Sequence, residues 1–360
     1  MCLTLSALAA LLLAQIDEYS ASPSERAVLA SRDAIAAGHV VLESKTFTDQ
    51  EGQLKEFSRS RYAIWFDKDR LRTDRQVWRP GDNGGWGQIL DERVGRMDAK
   101  IFRFNQDPNN PNRRILAQEV TPADAGWESA RKQLFDIRLL GLAPVPFEVL
   151  HSVVPNRFVA ATPRSQSVIR EFENENGKIV SVSYRTSRGG MAQLDIALDR
   201  GPNLLKGVLS GETYRDSIEC TLEQFPSKGQ AQHRWFPSVV RCVQEVEGRT
   251  IRINEVQVVE AVFDEPQPES LFTWEGLGAT AGTLVQRSKE AGGRLEVFNG
   301  TSLEPFRPNN PPPQASAATW GTASRGVLLR MGIGLGVLAA AVWAVWLVQR
   351  LRGGPAAQGK

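Results

Sequence analysis

Residues 62–78 read YAIWFDKDRLRTDRQVW. Tyr62, Ile64 and Phe66 alternate with Arg61, Ala63 and Asp67, the two-residue rhythm of a strand with one buried face. Residues 71–78 carry the rhythm onto a second strand, and Asp67-Lys68-Asp69 between them has the composition of a tight turn, so the stretch predicts a β-hairpin. The same pattern extends outward. Val40 and Leu42 lead into the hairpin across a turn at 49–52, and the Gly- and Pro-rich 80–87 breaks the chain after it. Further on, Val180, Val182 and Tyr184 alternate, as do Leu194, Ile196 and Leu198, and apolar runs at 218–225, 238–247 and 250–263 follow with turn residues between them. Strands joined by short turns predict a mostly antiparallel sheet, and the fold class is mainly β (α+β).

Two stretches carry a helical period. At 23–37, Ala27, Val28, Ala30, Ala34 and Ile35 recur at helical spacing, with Ser22 or Ser24 as the start and Gly38 as the stop. At 123–140, Trp127, Ala130, Leu134, Ile137 and Leu140 share a face, Gly141 ends it, and Pro144 and Pro146 lie beyond. Residues 147–153 have the pattern of one more helical turn. With so few helices, the sheet must cover its own apolar face or bury it on these pieces.

Composition excludes several classes. The 360 residues hold 43 Lys+Arg against 41 Asp+Glu, a net charge of +2, so broad electrostatic capture of nucleic acid is not expected. Arginines do interleave with aromatics, as in Arg59, Arg61, Tyr62, Trp65, Arg70, Arg72, Arg75 and Trp78, but strand alternation assigns the charges to the solvent face and the rings to the sheet. Three cysteines exclude a disulfide-dense scaffold and a four-cysteine zinc site. His39, His151 and His233 have no recognisable partners, the G-x-S-x-G elbow is absent, and the carboxylates are unclustered. No catalytic residue, metal or cofactor is therefore expected. A hairpin turning near Ala231 would set Cys220 opposite Cys242, and in an exported chain a disulfide between them is expected, two buried thiols being the alternative.

The ends read differently from the body. Residues 3–14, LTLSALAALLLA, have the length of a signal-peptide core, so 1–15 is expected to be an export signal and 16–298 the β domain. Residues 299–326, rich in proline, read as a stalk. Residues 331–348, MGIGLGVLAAAVWAVWLV, hold no charge, and a transmembrane helix is expected over 327–348. Trp343 and Trp346 suit its headgroup end, and Arg350 and Arg352 place the tail 349–360 in the cytoplasm. Gly332 and Gly336 have the small-xxx-small spacing of a weak homodimer contact within the membrane.

Several segments together resemble the LolA-like group of bacterial envelope proteins, which includes the lipoprotein carriers LolA and LolB and the sensor RseB. They are the hairpin above, FDIRLLGL at 135–142, LDIALDRGPNLLKG at 194–207, RWFPSVV at 234–240 and SLFTWEGLGATAGTLV at 270–285. The resemblance implies a strongly curved antiparallel sheet, an incomplete β-barrel with helices on its concave side, and an apolar hollow for acyl chains or a lipidated peptide. Tyr62, Ile64, Phe66, Val180, Val182, Tyr184, Leu194, Ile196 and Leu198 are then the expected ligand-lining residues. The expectation is a non-enzymatic protein of the bacterial envelope, held in the inner membrane by a single span, its main domain periplasmic or extracellular, binding a lipid or lipoprotein. An interaction or envelope-sensing ectodomain with a filled core, and a carboxylate-based hydrolase with a polar cleft, are the alternatives.

Overall fold

The computed structural model describes residues 22–81, 83–106, 116–131, 133–142, 168–175, 177–185, 190–229 and 232–307. The chain divides into two units, Met1–Pro312 and Pro313–Lys360, and all described residues belong to the first. The expected export signal, membrane span, Gly332/Gly336 contact and cytoplasmic tail lie outside the described residues, as does the expected helical turn at 147–153. Among the described residues, no helix is long and apolar enough to cross a membrane.

Helix α1 (Pro23–Asp33) opens the described chain. Ser22 caps it: its Oγ accepts from the Glu25 backbone while Glu25 accepts from the Ser22 N–H, and Pro23 occupies the first turn, where no donor is needed. Strands β1 (Ala37–Gln50), β2 (Gln53–Asp67), β3 (Arg70–Pro80), β4 (Trp86–Met97), β5 (Lys100–Gln106) and β6 (Leu116–Val120) follow. The expected hairpin is β2–β3, with Asp67 facing Arg70 and Lys68 at φ 55° in the turn. After the short helix α2 (Trp127–Arg131) come β7 (Val168–Asn174), β8 (Gly177–Arg185), β9 (Met191–Ala197), β10 (Asn203–Ser210), β11 (Tyr214–Pro226), β12 (His233–Val246) and β13 (Arg249–Phe263). Strands β14 (Thr283–Gln286), β15 (Leu295–Phe298) and β16 (Leu303–Pro305) complete one open, curved sheet of 16 strands in the order β16-β15-β14-β6-β5-β4-β3-β2-β1-β13-β12-β11-β10-β9-β8-β7. All neighbours are antiparallel except β14 and β6. Long-range pairing of β1 with β13 joins the two series of hairpins at the centre of the sheet.

Two expectations are corrected. The helix expected over 123–140 is five residues of α2 followed by a single 3-10 turn at Ile137–Leu139. The backbone between them leaves the helix because Phe135 N–H donates to Thr73 Oγ1 on β3, and Asp136 caps the next turn through Arg138 N–H. Leu134, Phe135, Ile137 and Leu140 are all buried, which no single helical face would allow. The sheet also runs into the expected stalk. Asn299 Oδ1 accepts from the Thr301 and Ser302 backbone, closing a turn that pairs β16 with β15.

Candidate functional site on the inner face of the sheet

One face of the sheet carries a continuous apolar cluster. In register across it, Tyr62 meets Leu42, Ile64 meets Val40, Val40 meets Ala261, and Leu42 meets Val258. On the far side Val182 meets Leu194, Val180 meets Ile196, Tyr184 meets Ala192, and Ile196 meets Leu204. Tyr62, Ile64, Phe66, Val180, Val182, Tyr184, Leu194 and Ile196 all belong to this one cluster, and Leu198, just beyond the end of β9, packs against it partly buried. Period-2 alternation thus brings the expected lining residues together. Gly207 sits among them: a Cβ there would lie 2.9 Å from Ile218 Cγ2, so only glycine lets β10 and β11 close at that point.

Short elements cover the face. Val28 and Ile35 come from α1 and the residue run after it, Ala130 from α2, and Leu134, Phe135, Ile137 and Leu140 from the broken segment. The lining residues are accordingly 0 to 9% exposed, Leu198 excepted, so this face is a packed interior with no open hollow at those positions. Toward one end the lining changes character: Ser44, Thr46, Ser58, Ser60 and Asn254 are buried in place of apolar side chains, and Asn254 Nδ2 donates to both Ser44 Oγ and Thr46 Oγ1.

Two further groups adjoin the cluster, Arg32 buried and Cys220 partly buried. Arg32, 2% exposed, projects from α1 over the Phe236 ring at 4.4 Å from its centroid, and Nε, Nη1 and Nη2 have no hydrogen-bond partner. Burial lowers its pKa to about 10, still high enough to leave it charged at neutral pH. Cys220, beside it, has its thiol pushed up to about 12 by burial, against a smaller opposing pull from Arg32. Its Sγ donates to Gly141 O at 3.7 Å, and Gly141, at φ 75°, must be glycine there because a Cβ would come within 3.0 Å of that sulfur.

The expected disulfide is corrected: Cys220 faces Val240, Cys242 faces Ile218, and neither is bridged. They are diagonal neighbours, roughly 7–8 Å apart in a sheet, beyond the roughly 4.4–6.8 Å that a disulfide spans between Cα atoms. Because the thiolate of the partly buried Cys220 is disfavoured, iodoacetamide at pH 8.5 is expected to label it far more slowly in the native protein than after unfolding; equally rapid labelling of the two states would contradict the raised thiol pKa.

Arg32 was not expected in the interior, though the signal was present: it lies four residues after Val28 and three before Ile35, on the same helical face. The arginines of β2 to β4 are engaged by rings, with Arg59 over Trp86, Arg72 over Trp65, Arg75 over Tyr62 and Arg79 over Phe57. Buried carboxylates face arginines as well, Glu92 beside Arg103 and Glu119 beside Arg287. Among the described residues no group of three or more His, Cys, Asp or Glu is placed to hold a metal ion.

No protein-family model matches the chain, and no curated protein matches it. The LolA-like resemblance of the sequence is met again among solved structures. The chain is similar to a LolA superfamily protein from Nitrosomonas europaea, at 8% identity and a TM-score of 0.34, over 71% of this chain and 100% of that one. It is also similar to an outer membrane lipoprotein-sorting protein domain, described as putative, from Vibrio parahaemolyticus, at 7% identity and a TM-score of 0.34, over 69% of this chain and 96% of that one. A likeness this distant concerns the course of the backbone and says nothing of what this chain binds.

Proposed function

We propose that this protein is a non-enzymatic binder of an amphiphile, a lipid, an acyl chain or a lipidated partner, whose apolar part lies against the inner face of the sheet. The make-up of the cover carries this reading. One part of the cover over this extensive apolar face is an 11-residue helix whose buried side is Glu25, Val28 and Arg32, beside the more apolar cover from Ala130, Leu134, Phe135, Ile137 and Leu140. With Ile35 added, two aliphatic side chains hold that helix down, on the order of 4 kcal/mol of apolar burial. Five or so methylenes of an acyl chain, at about 0.8 kcal/mol each, replace that contribution, so a longer chain slides in beneath that helix with free energy left over for roughly micromolar binding.

The full reading places the protein in the bacterial cell envelope. Residues 1–15 direct export, and 327–348 cross the inner membrane with 349–360 in the cytoplasm and Gly332 and Gly336 at a weak dimer contact. A tethered binder receives or senses its ligand at one membrane and does not shuttle between two. The tight burial of the lining residues favours one second reading, an interaction ectodomain whose core is permanently filled.

Titration of the full chain with a fluorescent long-chain fatty acid separates the two. Wild type is expected to bind at micromolar concentration. Ile196→Trp, at a position 1% exposed, is expected to weaken binding at least tenfold while overpacking costs about 1–3 kcal/mol of stability. Stability loss in Ile196→Trp without any wild-type binding at high micromolar probe would select the filled core.

A further inference from the structure

Arg32 differs from the other buried arginines. Arg72 donates to a carboxylate and two carbonyls. Arg103 and Arg287 each have an Nε without a hydrogen bond, yet Arg103 Nη2 meets Glu92, and Arg287 is paired with both Glu119 and Glu296. Arg32 alone among the described residues has all three guanidinium nitrogens buried without a hydrogen-bond partner. Glu25, the acid on the same side of α1, already accepts from the Ser22 backbone. A buried charge without a counterion is strongly destabilising, and the stacking on Phe236 offsets only part of that penalty. A guanidinium also presents a planar fork of donors, the geometry that meets the paired oxygens of a carboxylate or phosphate.

We propose that the Arg32 guanidinium is the anion-binding subsite of the inner face, taking the anionic oxygen head of the amphiphile whose chain packs on the apolar strands. This rests on the amphiphile reading above and adds the charge of the ligand to it. The head sits between α1, β11 and β12, beside Phe236 and Cys220, and the chain runs from there along the cluster. Neutral lipids are selected against, because they leave the guanidinium uncompensated.

The test uses the full chain with cis-parinaric acid and its methyl ester as probes. Wild type is expected to bind the acid at least tenfold more tightly than the ester. Arg32→Met is expected to bring the acid down to the affinity of the ester and leave the ester unchanged, while Arg32→Lys keeps part of the preference. Without ligand, Arg32→Met is expected to melt at or above the wild-type Tm, since it removes an uncompensated charge; a lower Tm would assign Arg32 a structural role and overturn the proposal. Equal binding of acid and ester by wild type, or a preference surviving in Arg32→Met, also overturns it and leaves the amphiphile reading standing. Binding of neither probe overturns the amphiphile reading. Thermal melts with inorganic phosphate then decide the subsite: a Tm rise in wild type and not in Arg32→Met upholds an anion site for a free oxyanion, and no rise overturns the subsite too.

Discussion

Replacing Arg72 by Met is expected to cost the folded unit about 3 kcal/mol, the low end of what breaking a buried ion pair costs. Arg72 leaves β3 with its side chain 7% exposed, and every nitrogen is used. Nε and Nη2 donate to the two oxygens of Asp74 at 2.7 and 2.6 Å, and Nη1 donates to Leu271 O and Gly276 O at 3.1 and 2.6 Å. The guanidinium carbon lies 4.6 Å from the Trp65 ring centroid. This one side chain therefore ties the 270–276 turn, far along the chain, to the hairpin. The turn is wound tightly enough that only glycine fits at 276, where a Cβ would sit 2.0 Å from Ser270 O. Met fills the space and leaves two carbonyls and a carboxylate short of donors; Asp74, 23% exposed and with Arg93 Nε at 3.9 Å, keeps part of its compensation, which sets the value at the low end. Lys is expected to rescue less than half, since one ammonium cannot reach a carboxylate and two carbonyls in a fork. Urea unfolding at constant m-value measures the change, and a loss under about 1 kcal/mol would contradict the network.

Phe263→Ala is expected to cost about 3–5 kcal/mol. The ring is fully buried at the end of β13, 4.9 Å from the Phe236 ring and 6.3 Å from Phe225, with Phe225 and Phe236 themselves 6.5 Å apart. Three mutually packed rings lose both area and edge-to-face contacts when one is removed. The site has little means of collapsing. Facing Phe263 is Gly38, where a Cβ would fall 2.5 Å from Val262 O and 3.0 Å from Phe66, so the backbones of β1 and β13 are already as close as they go. Phe263→Leu retains most of the volume and is expected to cost about 1–1.5 kcal/mol. Equal, small losses for both substitutions would mean that the rings border open space.

The hairpin at 62–78 and the start of the helix before β1 were legible because their information is local: a two-residue rhythm around Lys68 in one case, a Ser22–Glu25 cap in the other; the helix end was not, since it stops at Asp33 with Ala34 as its cap and the expected stop, Gly38, already lies in β1. Faces were legible for the same reason, which is why Ile64, Val182 and Ile196 were correctly gathered on one side. Register was not. Moving a strand by two residues keeps every side chain on its face, so the slip that separates Cys220 from Cys242 leaves the hydrophobic pattern unchanged. It is set instead by the hairpin's loop and by a bulge at Ser238 on β12, beside Pro237, a residue that cannot donate to the ladder. The helix over 123–140 failed because its apolar spacing also serves an irregular plug, and the deciding bond, Phe135 to Thr73, comes from a strand 62 residues away. Within the candidate site, the apolar lining was readable from alternation. Arg32 was passed over although its spacing from Val28 and Ile35 put it on the buried side, because a charge there breaks the apolar pattern by which that side is recognised.

Mass spectrometry of the amphiphiles retained by the full chain, compared with those retained by Ile196→Trp, tests the central claim most directly. Lipids held around a membrane span are the same in both proteins, whereas a chain lodged on the inner face is lost from the variant. The account predicts one anionic amphiphile near stoichiometric amounts in wild type and several-fold less in Ile196→Trp; identical lipid content in the two proteins would contradict it.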